Sequence, residues 1–97
     1  MTLLEKSDLE PAFSMMLYSS KGATSRNRIL TSLQSGSKSC NLLATELRLN
    51  WRTIYRHLKI LEKWSLVKSF DFGERKFYKL TMKGEEASKI SLNARQL

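Results

Sequence analysis

The sequence predicts a mainly α-helical domain with one small β-hairpin: three helices packed as a core, a two-stranded wing, and terminal helices able to pair two copies. Three observations predict it. Apolar residues recur at helical spacing in separate blocks from Leu9 to Leu61. The spacing then switches to about period two around Gly73-Glu74. Between these regions lies the most sharply two-faced stretch of the chain, Asn50 to Lys63.

The elements follow in order. Ser7-Asp8-Leu9-Glu10 has the S-x-x-E spacing of a capping box, and Pro11 is tolerated in a first turn. Leu9, Phe13, Met16 and Leu17 recur at helical spacing, so a helix to about Tyr18 is expected, its apolar face widened by Met15 and Tyr18. Ser19-Ser20-Lys21-Gly22 breaks it. Thr24 or Ser25 can cap a second helix to about Gln34, with Ile29, Leu30 and Leu33 inward. Ser35-Gly36-Ser37-Lys38 has the composition of a loop. Ser39 can cap a short third helix through Leu47, packed by Leu43, Ala44 and Leu47, and Arg48-Leu49 is a tight turn.

Asn50 can cap the central helix. At about 100° per residue from Arg52, Ile54, Leu58 and Leu61 fall at roughly 200°, 240° and 180°. Arg52, Arg56, Lys59 and Lys63 fall at roughly 0°, 40°, 340° and 20°. One face is aliphatic and the opposite face cationic. A short helix, a tight turn and a longer helix form a helix-turn-helix pattern. Two extended runs follow, Leu66–Phe72 and Arg75–Leu80, joined at Gly73-Glu74, where Gly73 can take a positive φ. Thr81 caps a last helix with Ala87, Ile90, Ala94 and Leu97 at helical spacing, and Glu85-Glu86 suit its first turn.

Composition narrows the function. A chain of 97 residues supports one domain, 1–97, with 7–20 and 81–97 as candidate dimerisation helices. No run is long and apolar enough for a membrane span, and no signal peptide is visible, so a cytoplasmic protein is expected. One cysteine and one histidine make a metal site within one chain unexpected, and no cofactor is expected. The net charge of +8 is concentrated in residues 48–79, which hold nine basic and three acidic residues. Such a local field favours a polyanion such as nucleic acid. No nucleophile–base spacing, phosphate-cradling glycine loop or paired-carboxylate site appears, so an enzyme is not expected.

The motifs taken together resemble a known family. They are Leu43-Ala44-Thr45-Glu46-Leu47, Thr53-Ile54-Tyr55-Arg56-His57-Leu58-Lys59-Ile60-Leu61-Glu62, Leu66-Val67, and Tyr78-Lys79-Leu80-Thr81-Met82-Lys83-Gly84. In order and spacing they resemble the winged helix-turn-helix transcriptional regulators of the ArsR and MarR type, over about residues 24–87. The resemblance implies a homodimer on duplex DNA, with the recognition helix in the major groove and the wing on the backbone or minor groove. Two positions depart from the family: Ser65 and Arg48 stand where glycine is usual. The cysteine-rich metal motif of the ArsR sensors is absent from the central helix, so metal sensing by that route does not carry over.

The contact residues follow from side-chain chemistry. Arg52 and Arg56 can grip guanine or phosphate in a bidentate way. Thr53 can meet a phosphate or a thymine methyl. Tyr55 can donate to a phosphate or pack on a neighbouring helix. Lys59 and Lys63, further along, are expected to hold the backbone. Arg75 and Lys76, after the wing turn, are expected on backbone or minor groove. Ser39 and Asn41 can bind phosphate at a helix N-terminus, and Asn50 joins them at the start of the central helix. Cys40 lies there too, where a thiol pKa can fall, but an inert thiol is the stronger expectation. Trp51 is nearer the aliphatic face, so core or boundary packing is expected ahead of a groove contact. His57 is expected to pack, and Trp64 and Phe70 to serve the core or a dimer. No effector is identifiable. The competing classes are a winged-helix interaction module, which needs apolar residues where Arg52, Arg56 and Lys59 stand, and a non-specific nucleic-acid binder.

Overall fold

The computed structural model describes residues 11–96, with side chains through Lys89. The capping box expected over Ser7–Glu10 lies outside the described residues, as do the side chains of Ile90 and Ala94 and all of Leu97. Helix α1 (Pro11–Ser14) runs into a π-helical turn at Met15–Ser19. Helix α2 (Ala23–Leu33) leads to the short strand β1 (Lys38–Ser39), then helix α3 (Cys40–Leu47) and helix α4 (Trp51–Lys63). Strands β2 (Val67–Phe72) and β3 (Arg75–Leu80) form the hairpin, and helix α5 (Met82–Gln96) closes the order. This is a winged helix-turn-helix.

Each helix contributes its periodic residues to one core. Phe13, Met16, Leu17, Ile29, Leu30, Leu33, Leu43, Ile54, Leu58, Leu61, Leu66, Val67, Tyr78 and Ala87 form it, with Ala44, Leu47 and Trp64 packed at its edge. Burying a Leu or Ile side chain is worth roughly 1.5–3 kcal/mol, so the aliphatic stripe of α4 alone fixes that helix firmly. Trp64 meets Phe13 edge to face, ring centroids 5.5 Å apart.

The two-stranded wing forms from β2 and β3, and a third strand joins its sheet, in the order β1-β3-β2. Three expectations need correction. Lys38 and Ser39 pair with Tyr78 and Phe77, so the expected loop 35–38 ends in a strand created by its partner and not by its own residues. The first helix is not uniformly α: the turn Met15–Ser19 is π-helical, and Met15 and Tyr18 point outward instead of widening the apolar face. Neither Thr24 nor Ser25 caps α2; Gly22 holds that position, with no side-chain cap. Its φ is +120°, and a Cβ there would meet the His57 ring at 2.8 Å, so both backbone and space require glycine.

The polar residues of α2 explain the π turn. A π turn shifts the carbonyls of its chain out of the ordinary α ladder. Arg26 and Asn27, which pattern alone would send to solvent, are each 5% exposed and reach back to that turn. Arg26 Nε donates to the Met16 carbonyl at 2.7 Å, and Asn27 Nδ2 donates to the Leu17 carbonyl. Arg26 also donates to Ser20 Oγ and, at 3.2 Å, to His57 Nδ1. Arginine has donors only, so Nδ1 accepts and the imidazole is neutral. Burial lowers the His57 pKa, and the charges of Arg26 and Arg56 lower it further.

The two family departures fall at two helix ends. Arg48 has φ 56° and Ser65 has φ 61°, the left-handed region that usually selects glycine. Ser65 N–H donates to the Glu62 carbonyl and Leu66 N–H to the Leu61 carbonyl, both at 2.9 Å. This is a Schellman closure, and the buried Leu61 and Leu66 supply its apolar contact. Leu49 N–H closes α3 on the Ala44 carbonyl in the same six-residue pattern. After the wing, Thr81 caps α5 by accepting from Gly84 N–H at 2.9 Å, while its hydroxyl donates to the Ser65 carbonyl. A Cβ on Gly84 would collide with the Leu66 carbonyl, which explains glycine there.

Candidate nucleic-acid interface

Helix α4 is positioned from both ends and from beneath. Asn50 Oδ1 accepts from Arg52 N–H at 2.8 Å, fixing the first turn. Ile54, Leu58 and Leu61 are fully buried, and His57 is 5% exposed. The opposite face is solvent-exposed along Arg52, Tyr55, Arg56, Lys59 and Lys63, with Thr53 half-buried beside it. The two faces lie where the residue spacing places them. Lys63 in the last turn also suits the negative end of the helix dipole.

The cations on this face differ. Lys59 is held along its own helix, with Nζ 5.1 Å from the centre of the Tyr55 ring and 3.4 Å from Glu62 Oε1. The Glu62 carboxylate raises the Lys59 pKa. Arg52 lies over the Trp51 ring, 5.6 Å from its centre. Arg56 borders a cavity of about 520 Å³ with Lys21, Gly22 and Ser25. Guanidinium groups that lie on a ring or free in a cleft keep their forked donors available for a planar acceptor.

The hairpin brings the other candidates together. Ser39, Asn41, Arg75 and Lys76 line one cleft of about 380 Å³, with Cys40 and Glu74. Ser39 Oγ accepts from Leu42 N–H at 3.1 Å, so its side chain serves as the helix cap. Gly73, at φ 66°, makes the turn that carries Arg75 and Lys76 to the tip. The eleven predicted contact residues thus lie on α4, at the α3 N-terminus and at the wing tip.

Two readings of single residues change. Trp51 is 52% exposed at the start of α4 and does not pack in the core. Its carbonyl accepts from Cys40 Sγ at 3.4 Å. Cys40 has its pKa raised by burial, the reverse of what a reactive helix-N-terminal thiol needs. Phe70 is not core. It is 37% exposed, because Val67 and Phe70 have opposite parity along β2 and only Val67 points inward. The exposed aromatic ring at the head of the charged face is the site feature that sequence spacing missed. Its proximity to Arg52 was the available signal.

A sequence profile of the arsR family of bacterial regulatory proteins matches residues 24–69. The match covers just under half of the chain. It spans α2, α3, α4 and the start of the wing, so the chain carries a helix-turn-helix of the transcription-regulator type. The arsR family is one of regulatory proteins and not of enzymes. No curated protein matches the chain in sequence.

Solved structures show the same fold. The reduced form of the transcriptional regulator YodB from B. subtilis superposes with a TM-score of 0.75 at 21% identity, covering 96% of this chain and 90% of that one. The transcriptional regulator HlyU from Vibrio vulnificus CMCP6 gives 0.67 at 24% identity, covering 88% and 86%. Lactococcus lactis ZitR, solved in complex with DNA, gives 0.68 at 20% identity, covering 79% of this chain and 55% of that one. The chain spans 55–63% of the length of the ZitR chains it matches first. Among the described residues no helix is long and apolar enough to cross a membrane.

Proposed function

We propose that the protein is a sequence-specific, homodimeric regulator of transcription that binds duplex DNA. Helix α4 enters the major groove, and the β2–β3 wing lies on the backbone or minor groove. The observation that carries this reading is the two-sided α4. Its aliphatic face is buried, and its opposite face offers Arg52, Thr53, Tyr55, Arg56, Lys59 and Lys63 to one surface. The cleft of Ser39, Asn41, Arg75 and Lys76 supports a second contact, on phosphate. The arsR match and the DNA complex of ZitR support the same assignment. Arg52 and Arg56 read bases; Lys59, Lys63, Arg75 and Lys76 hold the backbone. Asn50 presents the first turn.

Dimerisation uses the terminal segments 7–20 and 81–97, which contain α1, the π turn and α5. Met15 and Tyr18, 57% and 43% exposed on the π turn, supply apolar surface for it. Two copies then place their α4 helices about 34 Å apart, one turn of DNA. The test is affinity for a duplex selected from a random pool against a scrambled duplex at physiological salt, alongside sedimentation of the free protein. Preference for the selected duplex and a dimeric mass support the reading. Equal affinity for both duplexes overturns sequence specificity, and a monomeric mass at micromolar concentration overturns the dimer.

A further inference from the structure

The outer face of the wing has a composition that the DNA-binding reading does not use. The register places Lys68 opposite Lys79, Phe70 opposite Phe77 and Phe72 opposite Arg75. Alternate residues of a strand share a face, so one side of the hairpin carries three phenylalanines and three cations and no acid. The other side, through Val67 and Tyr78, already serves the core. Phe72 is 75% exposed, more than any other large apolar side chain among the described residues. Phe70 and Phe77 are stacked at 5.9 Å, and Phe72 meets Phe77 edge to face at 6.3 Å. With Ser37 the three rings line an open cleft of about 240 Å³.

The charges say what would fill it. Lys68 and Lys79 stand directly across the ladder from each other, an arrangement that destabilises a sheet. Neither lysine forms an ion pair with a carboxylate among the described residues. A cationic pair beside an apolar cleft is complementary to carboxylates flanking an apolar side chain. The wing's first strand, β2, is also an edge of the sheet, where an extended chain can pair with its backbone. We propose that this face docks an extended acidic segment of a partner protein, seating one leucine-sized or phenylalanine-sized side chain between Phe70, Phe72 and Phe77 and its carboxylates on Lys68 and Lys79.

The ring geometry favours protein over a single nucleic-acid strand. Base stacking needs flat, open ring faces. Lys79 Nζ already sits 5.4 Å from the centre of the Phe70 ring. Phe72 and Phe77 stand at 77° to each other, which makes a corner and not a platform.

The test is fluorescence anisotropy with the full chain and three labelled peptides of equal length: alternating glutamate and leucine, alternating lysine and leucine, and alternating glutamate and serine. The glutamate–leucine peptide is expected to bind about tenfold tighter than either control, a loss typical of removing one anchor or its charges. Phe72→Ser and Lys79→Glu are each expected to weaken it by a similar factor. Phe72→Ser is expected to leave the melting midpoint and the affinity for selected duplex DNA unchanged, which separates this proposal from the DNA-binding reading. Equal binding of the three peptides, no saturable binding, or binding indifferent to Phe72→Ser overturns it. An oligothymidylate that displaces the peptide and loses affinity in Phe72→Ser assigns the face to single-stranded nucleic acid and overturns it as well.

Discussion

Helix α4 and the wing both present positive charge, but they use their apolar residues in opposite ways. In α4 the aliphatic residues Ile54, Leu58 and Leu61 are consumed by the core, and the face left over is cationic with two aromatic rings, Trp51 and Tyr55, at its edge. In the wing, Val67 and Tyr78 suffice for the core, and Phe70 and Phe72 are left exposed. A helix whose aliphatic stripe is buried can be held rigidly while its outer face meets a polyanion. A hairpin with aromatic residues to spare carries more than its own folding requires. The outer face of α4, with the wing tip at Arg75 and Lys76, therefore suits duplex DNA, and the phenylalanine face of the wing suits an acidic protein segment.

Substitutions can break this contrast, from the largest expected effect to the smallest. Leu58→Ala removes a fully buried side chain from the α4 anchor. It is expected to cost about 2–5 kcal/mol in a denaturant titration. A loss near zero would mean that α4 is not held by its aliphatic face. Ser65→Gly relieves a left-handed residue at the end of α4, and a gain of about 1 kcal/mol is expected in the same titration.

His57 tests the same anchor through pH. Its pKa is lowered by burial first and then by Arg26 and Arg56, so the folded state resists protonation more than the unfolded chain. The stability it contributes is complete above the unfolded value, about pH 6.5, and is lost as pH falls through the folded value. The melting midpoint is expected to fall with acidification over that window, and His57→Gln is expected to flatten the slope. Phe72→Ser should have the smallest effect on stability, within about 0.5 kcal/mol, because its ring is mostly in solvent.

Much of this was legible in the residues, and the reasons are local. The span of α4, its Asn50 cap and its buried stripe follow from spacing alone, because one helix fixes the angle between every pair of its residues. The wing turn at Gly73 was equally plain. What sequence could not supply depended on a distant partner. Lys38 and Ser39 are polar and become a strand only because β3 passes beside them. Arg26 and Asn27 look like solvent residues until the carbonyls of the Met15–Ser19 turn arrive above them. In the wing, period two was visible, but the parity change between Val67 and Phe70 set which residues face out. At the candidate interface, the α4 cations were predictable, whereas the exposure of Trp51, at the border of the aliphatic stripe, was not.

The most direct measurement is selection of bound sequences from a random duplex pool by the wild-type protein, Arg52→Ala and Phe72→Ser. A palindromic preference with half-sites about one helical turn apart is expected. Arg52→Ala should change the preferred base at one position of each half-site and weaken binding by about 1–3 kcal/mol, the worth of one bidentate base contact. Phe72→Ser should leave the selected sequence unchanged. A pool that yields no preferred sequence, or a preference altered by Phe72→Ser and not by Arg52→Ala, would contradict the division of labour between α4 and the phenylalanine face of the wing.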